Sequence, residues 1–410
     1  SFSNVAAGEV WLCSGQSNMA FELKGADTFS REGLDDPMLR FYDMKSHLKT
    51  WGLVWSEEDA GKVAQGKYYD RTRWNCSSEK TAGKFSAVGY YFGKMLRDSL
   101  NVPVGLICNA VGGTTTESFI SRSALEKVLP GFCDGWLEDE SVMVWARGRA
   151  RENMSAFKGG YIQHPFMPAY LFENGIRPLE RFQVKGAIWY QGESNAENIP
   201  QHEILFRALV DCWRQTWDNP DLPFYFVQLS SIERPTWPEF RNSQRLLSLK
   251  IPHCGMAVSS DLGHPTDVHP RAKKPVGERL ARLALRNDYG KQVECLAPAA
   301  TKAFLNDSGN VTVLFDSPIS VPGTMPVRGF RICLEDGSEI PASAEISGSD
   351  AVILSQDAGR PDAAADSKNT KADSRTAIVK VKYAWDPWTD ANLTGTTGLP
   401  VSTFDIEIGE

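Results

Sequence analysis

From about residue 8 to about residue 290, short apolar runs alternate with stretches whose apolar residues recur at helical spacing. That alternation is what most constrains the fold. Residues 8–15, 102–110, 182–190, 222–231 and 254–259 read as strands. Residues 86–100 read as a helix, with Val88, Phe92 and Leu96 on one face. Residues 121–128, 202–217, 237–249 and 270–287 read the same way, with Leu205, Leu209 and Trp213 lining one stripe and Val276, Leu280 and Leu283 another. Repeated β–α alternation predicts an α/β domain, a mainly parallel sheet with helices on both faces. Ligands of such sheets bind outside the carboxyl ends of the strands. Residues 31–83 read as irregular and polar, with Trp51, Trp55 and Trp74 among them.

After about residue 295 the helical periodicity stops. Residues 310–315, 327–335, 351–355 and 376–383 read as short strands between turn residues, a small C-terminal β-module. The expected division is therefore residues 1–294 and 295–410. Residues 357–375, rich in Asp, Ala, Ser and Lys, read as an exposed, mobile loop. With 410 residues, 42% of them hydrophobic, the chain can bury one large core and a smaller one.

The net charge of −7 and the lack of a long basic run argue against a nucleic-acid partner. No apolar stretch approaches the roughly 20 residues of a membrane-spanning helix. The eight cysteines are scattered without a C-x-x-C pair, so no disulfide framework is implied. Cys13, Cys108 and Cys254 lie in apolar strand-like runs and read as small buried hydrophobes. The chain begins at Ser1, and the expectation is a removed leader and a secreted or periplasmic location.

Three polar motifs stand at expected strand ends. Gly15-Gln16-Ser17-Asn18-Met19 follows the first, Gly112-Gly113-Thr114 the second, and Gln191-Gly192-Glu193-Ser194-Asn195 the third. A serine after a strand is ordinarily a helix cap. Here it has partners for nucleophilic chemistry. His269, just before a helix, can serve as general base. Asp267 is the nearest acid in sequence, with Asp261 and Glu193 as alternatives. Gly113 can present an unobstructed backbone N–H to an oxyanion, beside the N–H of Ser17 and the side-chain amide of Gln191 or Asn195. Read instead as metal ligands, Asp261, His264, Asp267 and His269 would suggest a water-activating hydrolase. Their spacing fits no standard zinc signature. No phosphate loop or dinucleotide fingerprint is present. No cofactor is implied, because acyl transfer by serine and histidine needs none.

These blocks, with Trp189-Tyr190 ahead of Gln191 and Asp267-Val268-His269-Pro270 at the end, resemble those of sialate O-acetylesterases. That family belongs to the SGNH hydrolase superfamily of carbohydrate esterases. Tyr383-Ala384-Trp385, Asn392-Leu393 and Gly398-Leu399-Pro400 also look like the end of that family's β-module. The resemblance implies a flavodoxin-like three-layer α/β/α domain that removes O-acetyl groups from a sugar or glycan. It maps Ser17 to the nucleophile, His269 to the base and Gly113 to the oxyanion hole. The third-block amide falls on Gln191 or Asn195. Many relatives carry Asp three residues before the histidine. That position is Thr266 here, so Asp267 stands in or a Ser–His dyad works alone. Acetylated xylan or another neutral glycan is the alternative substrate, and a non-catalytic glycan-binding protein the alternative class. Arg71, Arg73, Arg147 and Arg149 are candidate partners for a sialic acid carboxylate.

Overall fold

A computed structural model describes residues 4–356 and 377–409. The expected loop over 357–375 lies outside the described residues. The chain divides into two units. The first comprises Ser1–Leu229, Leu246–Ala257 and His269–Val293; the second comprises Ser230–Arg245, Val258–Val268 and Glu294–Glu410.

The first unit holds a seven-stranded sheet. Its strands are β1 (Glu9–Gly15), β2 (Asp36–Asp43), β3 (Trp74–Ser77), β4 (Val104–Cys108), β5 (Gly186–Tyr190), β6 (Phe224–Val227) and β7 (Cys254–Ala257), in the order β3-β2-β4-β1-β5-β6-β7. All neighbours are parallel except β3, which runs antiparallel at one edge. The unit's helices are α1 (Ser17–Ala20), α2 (Glu57–Val63), α3 (Glu79–Ala82), α4 (Ala87–Leu100), α5 (Arg122–Val128), α6 (Val144–Asn153), α7 (Ile199–Thr216), the C-terminal end of α8 (Trp237–Lys250), whose first part belongs to the second unit, and α9 (Lys273–Asn287). The mixed α/β architecture thus matches the alternation in the sequence. Residues 31–83 correct the expectation of irregular chain, since β2, β3, α2 and α3 lie within them.

The central strands are apolar on both sides because both sides are covered. On one face Trp11 of β1 packs edge-on against Phe92 of α4, and α4 packs along α9. The helices meet closely at Gly277, where a Cβ would lie 2.6 Å from the Val88 carbonyl oxygen. On the other face Trp189 of β5 meets Trp213 of α7, and Phe206 of α7 meets Phe226 of β6. Ser86 and Ser121 accept hydrogen bonds from Gly89 N and Ala124 N, which starts α4 and α5 where the sequence places them. Cys13 and Cys108 sit opposite each other on β1 and β4, both buried as unbridged thiols.

In the second unit the strands are β8 (Ala300–Leu305), β9 (Val311–Phe315), β10 (Ile319–Ser320), β11 (Phe330–Leu334), β12 (Glu339–Ser347), β13 (Ala351–Gln356), β14 (Ile378–Tyr383), β15 (Thr394–Gly395) and β16 (Phe404–Gly409). Seven of them close into a barrel, β11-β12-β13-β9-β8-β16-β14, around Val313, Phe330, Leu354, Tyr383 and Phe404. Closure removes the exposed edges of the sheet. A single cut at residue 295 does not describe the division, because residues 230–245 and 258–268 belong to this unit. The reason is polar. Arg241, fully buried, donates to Thr403 Oγ1 and to the carbonyls of Ala384, Asp386 and Pro387.

Candidate active site

In the strand order, β1 lies between β4 and β5, with β2, β3 and β4 on one side of it and β5, β6 and β7 on the other. This is a topological switch point, where adjacent crossovers diverge and leave a crevice at the carboxyl ends of the strands. The three strand-end motifs all face that crevice because they follow these three strands.

β1 ends at Gly15, whose φ is +132°. A side chain there would run into the Tyr190 carbonyl of β5. Gln16 N donates to that same carbonyl at 3.0 Å, and the chain turns into α1. Ser17 opens the helix and is half-buried, whereas Asn18 and Met19 behind it are buried. His269 lies in the loop before α9, and its Nε2 is hydrogen-bonded to Ser17 Oγ at 2.8 Å across 252 residues of chain. That loop is stitched to the nucleophile side. Arg271 Nε donates to Gly25 O at 2.9 Å, and Asp27 N donates to Arg271 O at 3.2 Å.

β4 leads into Gly112 and Gly113. Val111 N donates to Gly15 O, so the turn runs beside the end of β1. A Cβ on Gly112 would lie 3.6 Å from Ser17 Cβ. Gly113 has φ +79°, and a Cβ on it would lie 3.2 Å from Phe166 Cζ and 3.4 Å from Trp145 Cη2. Thr50 Oγ1 donates to Gly112 O at 3.4 Å. A trans peptide points its C=O and N–H in opposite directions. Holding Gly112 O therefore sets the direction of Gly113 N–H. Ser194 Oγ donates to Gly113 O at 3.2 Å, and Ser194 N donates to Gln16 Oε1 at 3.3 Å, linking the three loops.

Gln191 and Asn195 are buried in one polar network. Gln191 Nε2 donates to Thr114 O and to Asn195 Oδ1. Thr116 Oγ1 donates to Gln191 Oε1, and Thr116 N donates to Asn195 Oδ1. Asn195 Nδ2 donates to Glu117 Oε2 at 3.1 Å. Burial raises the Glu117 carboxyl above its usual range. Asp261, His264 and Asp267 lie in the second unit and are exposed. His264 Nδ1 accepts from Thr266 N and Asp267 N. Among the described residues no group of three or more His, Cys, Asp or Glu is placed to hold a metal ion. No helix among them is long and apolar enough to cross a membrane.

Sequence reasoning missed Thr50, Trp145 and Phe166, which line the Gly112–Gly113 turn, Glu117, which accepts from Asn195, and Lys273, which reaches Asn18. None carries a local motif. Of the four candidate arginines, Arg147 donates to the carbonyls of Val142 and Leu137. Arg71 and Arg73 are exposed. Arg149, one turn beyond Trp145 on α6, lies 4.5 Å over the Trp51 ring and pairs with Glu152.

The family described as carbohydrate esterase, sialic acid-specific acetylesterase matches residues 155–286. A sialate O-acetylesterase of Mus musculus is 28% identical over 94% of this chain and 74% of its own length. That of Homo sapiens is 28% identical over 70% of this chain and 55% of its own. The crystal structure of a carbohydrate acetylesterase from Xanthomonas citri superposes with a TM-score of 0.73, at 30% identity, over 97% of this chain and 80% of that one. The protein is a carboxylic ester hydrolase. More narrowly, the chain belongs with the carbohydrate acetylesterases, and over most of its length it is similar to sialate O-acetylesterases.

Proposed function

We propose that the first unit is a flavodoxin-like three-layer SGNH hydrolase domain that removes O-acetyl groups from sialic acids through an acyl-enzyme. The observation that carries this reading is the 2.8 Å Ser17–His269 hydrogen bond at the switch point. Neutral His269 takes the proton of Ser17 as Oγ attacks the acetyl carbonyl, forming a tetrahedral oxyanion. The N–H groups of Ser17 and Gly113 receive that charge. In acyl transfer one such donor is worth roughly 3 kcal/mol of barrier. Gln191 already gives both amide hydrogens to Thr114 and Asn195, whereas Asn195 gives one to Glu117. Asn195 is therefore the better third donor, with Gln191 holding it. Collapse of the intermediate expels the sugar hydroxyl, which takes the proton from the imidazolium. Water, deprotonated by His269, then attacks the acetyl-serine, and acetate leaves. Asp267, two residues before the base, is the acid assigned to support the imidazolium.

A sialic acid carries a carboxylate, and Arg149 is the candidate arginine best prepared for it. Its guanidinium is held over Trp51, with Trp145 on the same helix against Gly113. Stacking preorganises the fork that a carboxylate needs. One finding favours a second reading. The Xanthomonas citri protein is described as a carbohydrate acetylesterase, without restriction to sialic acid. The test is acetate release from O-acetylated sialic acid and from acetylated xylo-oligosaccharides, side by side, with Ser17→Ala as control. Release from the sialic acid alone supports the first reading. Release from xylan alone keeps the mechanism and replaces the substrate. A Ser17→Ala variant that retains most of the rate refutes the nucleophile.

A further inference from the structure

Lys273 is the first residue of α9, four residues after His269, and it is fully buried. A lysine is an unfavourable choice there. Burial strips water from the ammonium, which is costly. The first turn of a 15-residue helix also presents the positive end of its dipole. The surroundings offset both. Lys273 Nζ donates to Asn18 Oδ1 at 2.5 Å. It also lies 5.0 Å from the Phe21 ring centroid and 5.4 Å from that of Tyr190, distances at which aromatic faces attract a cation.

Asn18 extends this interaction. Its Nδ2 donates to Glu193 Oε1 at 2.5 Å. The amide thus points its carbonyl at a cation and its N–H at an anion. Turning it over would face N–H to ammonium and oxygen to carboxylate. The two charges therefore fix one orientation of Asn18, a residue adjoining Ser17. The chain Lys273–Asn18–Glu193 joins the start of α9, the short helix α1 after β1 and the loop after β5.

We propose that Lys273 is a positioning residue for the esterase reaction. Acting through Asn18 and Glu193, it sets α1, which carries the nucleophile, against the loop that carries His269, so that the Ser17–His269 hydrogen bond is made before substrate arrives. The proposal rests on the Ser17–His269 reading above. It accounts for a buried cation where a methionine would pack without desolvation.

The test uses the whole chain. Lys273→Met keeps an unbranched side chain one atom shorter and removes its charge. Misplacing reacting groups by about 1 Å costs on the order of 100-fold in rate. The expected result is a kcat lower by about that factor, with KM changed less than about threefold. Asn18→Asp sets a second carboxylate against that of Glu193 and should lower kcat likewise. Adding Glu193→Gln restores the donor–acceptor order. The introduced amide can donate to the introduced carboxylate, which still accepts from Lys273. The double variant N18D/E193Q should recover at least about tenfold over N18D, a coupling that two unrelated structural lesions would not produce. A K273M enzyme with kcat within threefold of the parent overturns the proposal. So does a double variant no faster than N18D, and this comparison decides the matter if K273M does not fold. Ser17→Ala, run in parallel, separates the two ideas. An active Ser17→Ala enzyme removes the underlying mechanism, whereas an inactive one beside a normal K273M removes only the role of Lys273.

Discussion

Lowering the pH from 7 to 4.5 should remove about 2–3 kcal/mol of stability from the first unit through His164 alone. The ring is buried and stacks on Trp55 at 5.0 Å. Nε2 lies 3.1 Å from Asn153 Oδ1, and Nδ1 accepts from Phe166 N at 3.1 Å. The ring is therefore the neutral tautomer that donates from Nε2. A second proton would face the Phe166 N–H and carry a charge into a dry site. Burial pushes the pKa down to about 3, from an ordinary value near 6.5. Between those values the unfolded chain binds a proton that the folded chain refuses. Stability from His164 is thus complete above about pH 6.5 and is lost as pH falls toward 3. The loss is about 1.4 kcal/mol per pH unit below 6.5. The assay is urea unfolding of the parent and of His164→Gln at pH 7, 6, 5 and 4.5, followed by tryptophan fluorescence. Carboxylates and other histidines titrate in both proteins, so the difference between them isolates His164. A parent-minus-variant difference that stays constant within about 0.5 kcal/mol across this range would refute the reasoning, since 2–3 kcal/mol is expected.

Gly113→Ala should lower kcat at least about tenfold with a smaller effect on KM. It forces an alanine to φ +79° and against Phe166, moving a backbone N–H assigned to the oxyanion. Steady-state kinetics on an acetyl ester checks it, and an unchanged kcat removes Gly113 from the hole. Arg241→Met should destabilise the second unit by about 3–5 kcal/mol, because the acceptors at Thr403, Ala384, Asp386 and Pro387 lose their donor together. Limited proteolysis in rising urea should show earlier cleavage within residues 294–410. Arg149→Ala should raise KM about tenfold for an O-acetylated sialic acid and leave a neutral acetyl ester within about twofold, as expected of one charge-assisted contact. Equal effects on both substrates would make Arg149 a support for Trp51 instead.

The order of strands and helices around the site was legible because each element carries its own periodicity. β1, α4 and α7 present apolar residues at spacings that local geometry demands, and serine caps mark where α4 and α5 begin. The strand-end motifs were legible for the same reason, since a parallel sheet brings its carboxyl ends to one side. β2, β3 and α2 were not. β3 is four residues long, too short for a period to emerge, and all three lie in a polar stretch. β12 alternates, but none of its residues is fully buried, so its apolar signal is weak. Long-range polar pairing left no trace at all. Nothing near Lys273 announces that its ammonium lies on Asn18, and nothing near Arg241 announces four acceptors in the barrel unit. The sequence by itself determined the alternating architecture and which residue types stand at the strand ends. Tertiary structure alone decided that Ser17 and His269 come within 2.8 Å, which arginine lies over a tryptophan, and which buried charges are partnered. Periodicity is a property of neighbours in the chain, whereas these contacts join residues as many as 255 positions apart, where only packing fixes distance.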